Sequence, residues 1–130
     1  MTDRDAVLAA NAAYYRAFRA GDARAMEDVW ADEDVTCVHP GWPLLEGREA
    51  VMKSWRRILE NPAQDAVTRG EERVVVTGDV ARVHCEERVA GATLAATNLF
   101  ARTPDGWRLV HHHASLVAAR FEPAPKRRLN

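Results

Sequence analysis

The first sixty residues repeat their apolar positions at helical spacing. Val7, Asn11, Tyr14 and Phe18 fall on one face of a predicted helix, with Leu8 and Tyr15 beside it. Thr2 or Asp3 is placed to cap its start, and Gly21 to end it near Ala20, because the left-handed position after a helix suits glycine. Asp22 caps a second, shorter helix in which Met26, Val29 and Trp30 form one stripe. Residues 35–38 are β-rich and short. The run His39-Pro40-Gly41-Trp42-Pro43 continues neither element, since proline lacks the N–H and restricts its predecessor. A third helix begins near Gly47, carries Val51, Met52, Trp55, Ile58 and Leu59 on one face, and stops at Asn61-Pro62.

The pattern then changes period. Arg73–Thr77 is a valine-rich run, and Gly78-Asp79 turns the chain. Over Val80–Val89 the residues alternate, with Val83, Cys85, Glu87 and Val89 on one side and Arg82, His84, Glu86 and Arg88 on the other. Gly91 turns again into a strand over 93–103. Pro104-Asp105-Gly106 makes a hairpin turn, followed by a last strand over 107–117. Three hairpin-linked strands after three helices predict an α+β fold, a curved antiparallel sheet with the helices packed on one face. A sheet that curls without closing leaves a conical hollow. Ala95, Ala96, Ala101, Ala114, Ala118 and Ala119 are small enough to keep room in it, although alanines also permit close packing.

Composition narrows the class. A chain of 130 residues with 47% apolar and 28% charged residues suits one folded domain and not a disordered one. That domain is expected over 1–121. The last nine residues, 122–130 (EPAPKRRLN), carry two prolines and a basic run, and read as a flexible tail. Eighteen Lys plus Arg against nineteen Asp plus Glu leave a formal charge of −1, so no overall basic field favours nucleic acid. No apolar run is long enough to span a bilayer, and the start lacks the pattern of a secretory signal. Cys37 and Cys85 make no disulfide framework, which points to a reducing, cytoplasmic setting.

Several side chains could carry chemistry. His39, before a proline at the end of a short strand, is placed to act as a general base, or else to cap a turn or stack on Trp42. Trp42 in its proline-flanked loop is suited to close a pocket mouth over a flat ligand, whereas Trp30 and Trp55 lie on helix stripes. One of Tyr14 and Tyr15 should face inward with its O–H in need of a partner. Asn98, between Ala96 and Phe100 on its strand face, must be paired if buried, to a ligand carbonyl or to a histidine of the last strand. Glu87, if buried, would have a raised pKa and could act as acid or base. In His111-His112-His113, strand alternation puts His111 and His113 on one face, together with Trp107, Leu109 and Ser115. That pair could bind a metal with His39 or Glu87 as third ligand, but no metal-ligand motif accompanies it and no metal or cofactor is assigned. Ser115 lacks the elbow motif of a hydrolase nucleophile.

The stretches Tyr14-Tyr-Arg-Ala-Phe-Arg-Ala-Gly-Asp, Val-Trp-Ala-Asp-Glu-Asp-Val-Thr-Cys-Val-His-Pro and Leu-Glu-Gly-Arg-Glu-Ala-Val, in this order, resemble the nuclear transport factor 2-like superfamily. The ending Gly-Trp-Arg-Leu-Val-His-His-His-Ala-Ser is similar to its SnoaL-like and kinase-association-domain branches. The resemblance covers about residues 3–120. It implies a cone-shaped fold enclosing a pocket, and a homodimer through the outer sheet face. This scaffold hosts isomerases, cyclases, dehydratases and assembly domains, so fold does not decide function. Against ketosteroid isomerase, the tyrosine donor falls on Tyr14, the general base on His39 and the oxyanion-hole acid on Asn98. Two of those three positions are changed. Ligand contacts are expected from Trp42, Trp55, Glu87, His111 and His113. The expectation is a homodimeric domain that binds a small hydrophobic or carbonyl-containing ligand without catalysis. The alternative is a cofactor-free isomerase, cyclase or dehydratase.

Overall fold

The computed structural model describes residues 1–61 and 67–118; the predicted tail, Pro62 and Ala119 lie outside them. Helix α1 (Asp3–Ala20) opens with a capping box, in which the Thr2 hydroxyl accepts from the Asp5 N–H and the Asp5 carboxylate accepts from the Thr2 N–H. It closes at Gly21, whose φ of 66° is the left-handed conformation glycine adopts without strain. Helix α2 (Ala23–Val29) is capped by the Asp22 side chain. Helix α3 (Arg48–Leu59) buries Val51, Met52, Ser54, Trp55 and Leu59. Ser54 is the one polar residue in that stripe.

The strands are β1 (Thr36–Val38), β2 (Leu45–Glu46), β3 (Thr68–Arg69), β4 (Arg73–Thr77), β5 (Val80–Val89), β6 (Ala92–Thr103) and β7 (Gly106–Leu116). They form one sheet in the order β2-β1-β7-β6-β5-β3, with β4 also on β5. The hairpins β5-β6 and β6-β7 are antiparallel, as their turn residues predict. β1 departs from that pattern: it runs parallel to β7, pairing Thr36 with His111 and Val38 with His113. The sheet is therefore mixed. The two-residue strands β2 and β3 are too short to show any period in the sequence.

Two irregularities decide where side chains point. Between β6 and β7 the register shifts, so that Leu99 faces His111 while Phe100 faces Leu109 and Val110 is left as an extra residue. Such a bulge reverses the facing of everything beyond it. Trp107 and Leu109 point inward before it, and His112 and Ala114 point inward after it. The second irregularity separates β3 from β4. There Gly70, Glu71 and Glu72 lie opposite only Cys85 and Glu86 of β5.

The core lies between the helices and the inner sheet face, with Val7, Phe18, Met26, Trp30, Trp55, Val83, Phe100 and Leu109 buried in it. Of the predicted small residues, Ala96 and Ala114 are on this inner face, whereas Ala95 and Ala118 are exposed. Arg102 ties the start of α1 to the sheet through two bonds to Asp3, of 2.9 and 2.8 Å, and one to Asp79 of 3.0 Å.

Candidate ligand site

Five of the predicted site residues meet inside the cone. Tyr14 and Asn98 have no exposed surface, Trp55 and Glu87 are 1% exposed, and His39 is 3% exposed. Trp42 sits at the rim, with its ring 5.0 Å from that of His39. His111 and His113 do not join them. The Val110 bulge carries both to the outer sheet face, where His111 Nδ1 meets the Thr36 hydroxyl at 2.6 Å. His112 takes the inward position instead and is buried at 2% exposure. The proposed third metal ligands, His39 and Glu87, thus lie across the sheet from the pair. Among the described residues no cluster of three or more His, Cys, Asp or Glu side chains is arranged to hold a metal.

The interior divides into two halves. In one, the polar side chains form a connected network. Asn98 donates its two amide hydrogens to Asn11 Oδ1 at 2.8 Å and to the Tyr15 hydroxyl at 3.2 Å. Its own Oδ1 meets His112 Nδ1 at 2.5 Å. Tyr15 donates onward to Glu87 Oε2 at 2.6 Å, and Asn11 donates to Glu72 Oε2 at 2.6 Å. Burial pushes the Glu87 carboxyl above its ordinary value, against the smaller opposing effect of the Tyr15 hydrogen bond. Burial likewise raises the Tyr15 phenol, and the nearby Glu87 carboxylate adds to it.

The other half is an aromatic box. The ring centroids of Tyr14 lie 5.6 Å from Trp55 and 5.1 Å from His112; that of His39 lies 5.0 Å from Trp55. The Tyr14 hydroxyl and the Trp55 indole N–H are buried with no hydrogen-bond partner among the described residues. His39 Nε2 is 2.8 Å from the Ser54 hydroxyl, which itself lies 2.7 Å from the Val51 carbonyl. The hydroxyl has one proton, and the carbonyl can only accept it, so His39 donates from Nε2. Its Nδ1 is then the bare nitrogen, 3.8 Å from Cys37 Sγ. Burial pulls the His39 imidazole down to about 4, so it is neutral at physiological pH. His112 is also held well below the ordinary range, first by burial and then by its histidine neighbours. The Cys37 thiol is pushed up to about 12 by burial, which makes it an inert core residue.

Sequence reasoning missed His112, Ser54, Asn11 and Glu72 as site residues, and where it expected one of Tyr14 and Tyr15 to face inward, both do. The hydrophilic Asn11 on an otherwise apolar helix face was the available signal for its own case. For His112 the signal was hidden, because only the bulge at Val110 decides which histidines face in.

Comparison with known proteins places the chain. The SnoaL-like domain model matches residues 7–119. A Streptomyces avermitilis protein, described as a candidate dehydratase of the NTF2-like family, is 39% identical; the match covers 90% of this chain and 97% of that one, with a TM-score of 0.81. A Thiobacillus denitrificans protein, described as a candidate calcium/calmodulin-dependent protein kinase type II association domain, is 34% identical over 84% of this chain and 93% of that one, with a TM-score of 0.71. The Arabidopsis thaliana F-box protein SKIP8 is 26% identical over 86% of this chain, and the chain spans about half the length of this curated relative. No helix among the described residues is long and apolar enough to cross a membrane. The cone of three helices on a bent mixed sheet and the matched model agree: this chain belongs to the SnoaL-like domain family of the NTF2-like superfamily.

Proposed function

We propose that this domain binds a small carbonyl-bearing molecule in the aromatic box without transforming it, as a homodimer. One observation carries the reading: of the four buried donors without a partner among the described residues, those of Tyr14, Trp30, Trp55 and Trp107, the first and third belong to rings in contact, 5.6 Å apart. Leaving a donor so costs about 1–3 kcal/mol, and a ligand oxygen that reached either one would remove its cost. The surrounding rings touch one another at centroid distances of 5.0–5.6 Å, so a ligand would enter by parting them from the side of Trp42 at the rim. The groups that catalysis would need are engaged elsewhere. Asn98 has given both hydrogens to Asn11 and Tyr15, so it positions its neighbours rather than holding an enolate. His39, with a pKa near 4, is a weak base.

The test uses cyclohexanone and 1-indanone as probes, followed by tryptophan fluorescence and by thermal shift. Saturable binding that weakens at least tenfold in Tyr14→Phe supports the reading. Equal binding by wild type and by Tyr14→Phe, or no binding to either probe, removes it.

The acid–base alternative is favoured by the 39% identity to the candidate dehydratase. In that reading His39 Nδ1 takes an α-proton and the Glu87 carboxyl, which burial makes a weaker acid, returns one to a leaving hydroxyl. Loss of water from a β-hydroxy ketone, abolished by His39→Gln, would establish it.

The homodimer would form through the outer sheet face. Val75 and Val80 there are 42% and 55% exposed and share one apolar groove with Leu99 and Val110, the kind of patch a partner copy covers. Self-association also fits the likeness to association domains. Sedimentation should give a dimer that Val80→Asp splits. The two buried free thiols support a cytoplasmic setting.

A further inference from the structure

We infer that Glu72, at the edge of the fold, dictates which nitrogen of the buried His112 carries its proton, acting through the amides of Asn11 and Asn98. The argument is a chain of forced choices. A carboxylate can only accept hydrogen bonds, so Asn11 must turn its NH₂ toward Glu72 Oε2, 2.6 Å away. Its carbonyl oxygen is then left facing Asn98, which must present its own NH₂ at 2.8 Å. Asn98 thereby turns its oxygen to His112, and a lone pair 2.5 Å from Nδ1 requires a proton on Nδ1. The Nε2 lone pair is left on the opposite ring edge, away from Asn98. Tyr15 accepts from Asn98 while it donates to Glu87; as a hydroxyl that can both donate and accept, it follows the orientation of Asn98 and leaves the choice to Glu72.

Glu72 owes its place to the irregularity between β3 and β4. Three residues there span the distance that two cover on β5, and such an extra residue re-aims a side chain. The carboxylate meets Asn11 while keeping one flank open to solvent, at 21% side-chain exposure, where Arg69 Nε pairs with it at 3.2 Å. A group at the rim is thus linked to the ring that packs on Tyr14.

Glu72, Asn11 and Asn98 are positioning residues in this account. The relay is a property of the protein alone. Its consequence for a ligand rests on the proposed interior site: the His112 ring lies 5.1 Å from that of Tyr14 and 6.1 Å from that of Trp55, and its bare Nε2 would offer such a ligand an acceptor, which selects a carbonyl compound that also carries a hydroxyl.

Long-range proton–nitrogen correlation spectra of the ¹⁵N-labelled 130-residue chain test the relay directly. Wild-type His112 should show a protonated Nδ1 and a bare Nε2. In Glu72→Gln the new amide can donate to Asn11, both asparagines can turn over, and the Nε2-protonated form should rise roughly tenfold, the worth of one neutral hydrogen bond. His39, whose tautomer is set by Ser54, should not change and serves as the internal control. A wild-type His112 protonated at Nε2, or an unchanged tautomer in a Glu72→Gln protein that melts like wild type, overturns the inference. If that variant does not fold, Asn11→Leu cuts the same relay one link further in, and the same two outcomes decide. A relay that holds while cyclohexanone, 1-indanone and 2-hydroxycyclohexanone all fail to bind refutes the ligand reading and leaves the tautomer control standing.

Discussion

Tyr14 and Tyr15 are neighbours on one helix, both buried, and their hydroxyls meet opposite fates. The Tyr15 oxygen donates to Glu87 and receives from Asn98, inside a network that runs from Glu72 to His112. The Tyr14 oxygen, in the aromatic box, has no partner among the described residues. A turn of 100° between successive helical residues is enough to send one into a satisfied polar cluster and the next against Trp55 and His112. Within one interior, then, one half is built for stability and the other carries unmet hydrogen-bonding capacity. Cutting the first half should cost stability. Trimming the second should not.

The largest effect is expected at Asn98, which bonds Asn11, Tyr15 and His112 together. Asn98→Leu leaves those three groups facing an apolar side chain, and each stranded buried group costs about 1–3 kcal/mol. A loss of about 4 kcal/mol in urea denaturation is expected, against which a loss under about 1 kcal/mol would mean the network is not structural.

Acidification comes next. The His39 pKa is near 4 in the folded chain and 6.5 is its ordinary value. Between those values the unfolded chain binds the proton and the folded one does not, so stability falls as pH drops through this window. The linkage amounts to about 3 kcal/mol. His112, also depressed, acts in the same direction. Glu87 acts oppositely: its raised pKa means that stability is fullest at low pH and declines as pH rises through the folded value. Urea melts from pH 7 to pH 4 should therefore weaken, and His39→Gln should flatten the slope. A slope unchanged by that substitution would assign the titration to another group.

Tyr15→Phe should cost about 2 kcal/mol, since it removes a donor to Glu87 and an acceptor for Asn98. It should also raise the Glu87 carboxyl further, because the Tyr15 bond is what opposes burial there. Carboxyl carbon chemical shifts followed against pH measure that change.

How much of this was readable beforehand follows from the range of each interaction. Thr2, Gly21 and Asp22 announce their caps because the partners are at most a few residues away. Strand β5 shows its two faces in plain alternation, and places Glu87 inside with Cys85 and Val83. The expectation that Asn98, if buried, bonds a ligand carbonyl or a histidine of the last strand names its observed partner, His112. What could not be read depends on register between distant segments. Nothing near Val110 signals a bulge, yet it exchanges His112 for His111 and His113 at the inner face. Glu72 lies 61 positions from Asn11, and its role comes from an extra residue opposite β5. The parallel docking of β1 on β7 is equally non-local.

The smallest expected effect sharpens the comparison most, because its sign is reversed. Tyr14→Phe removes a hydroxyl that has no partner among the described residues and keeps the ring contacts to Trp55, Phe18 and His112. Replacing an unsatisfied buried polar group with hydrogen should be neutral or should stabilise by up to about 1 kcal/mol. A chemically similar change one residue later should destabilise. If the two variants lost equal stability in parallel urea melts, Tyr14 would be a satisfied core residue like its neighbour. A gain in stability joined to weaker ketone binding is the signature of a group kept for a ligand, since binding sites hold their polar atoms at a cost to the empty fold.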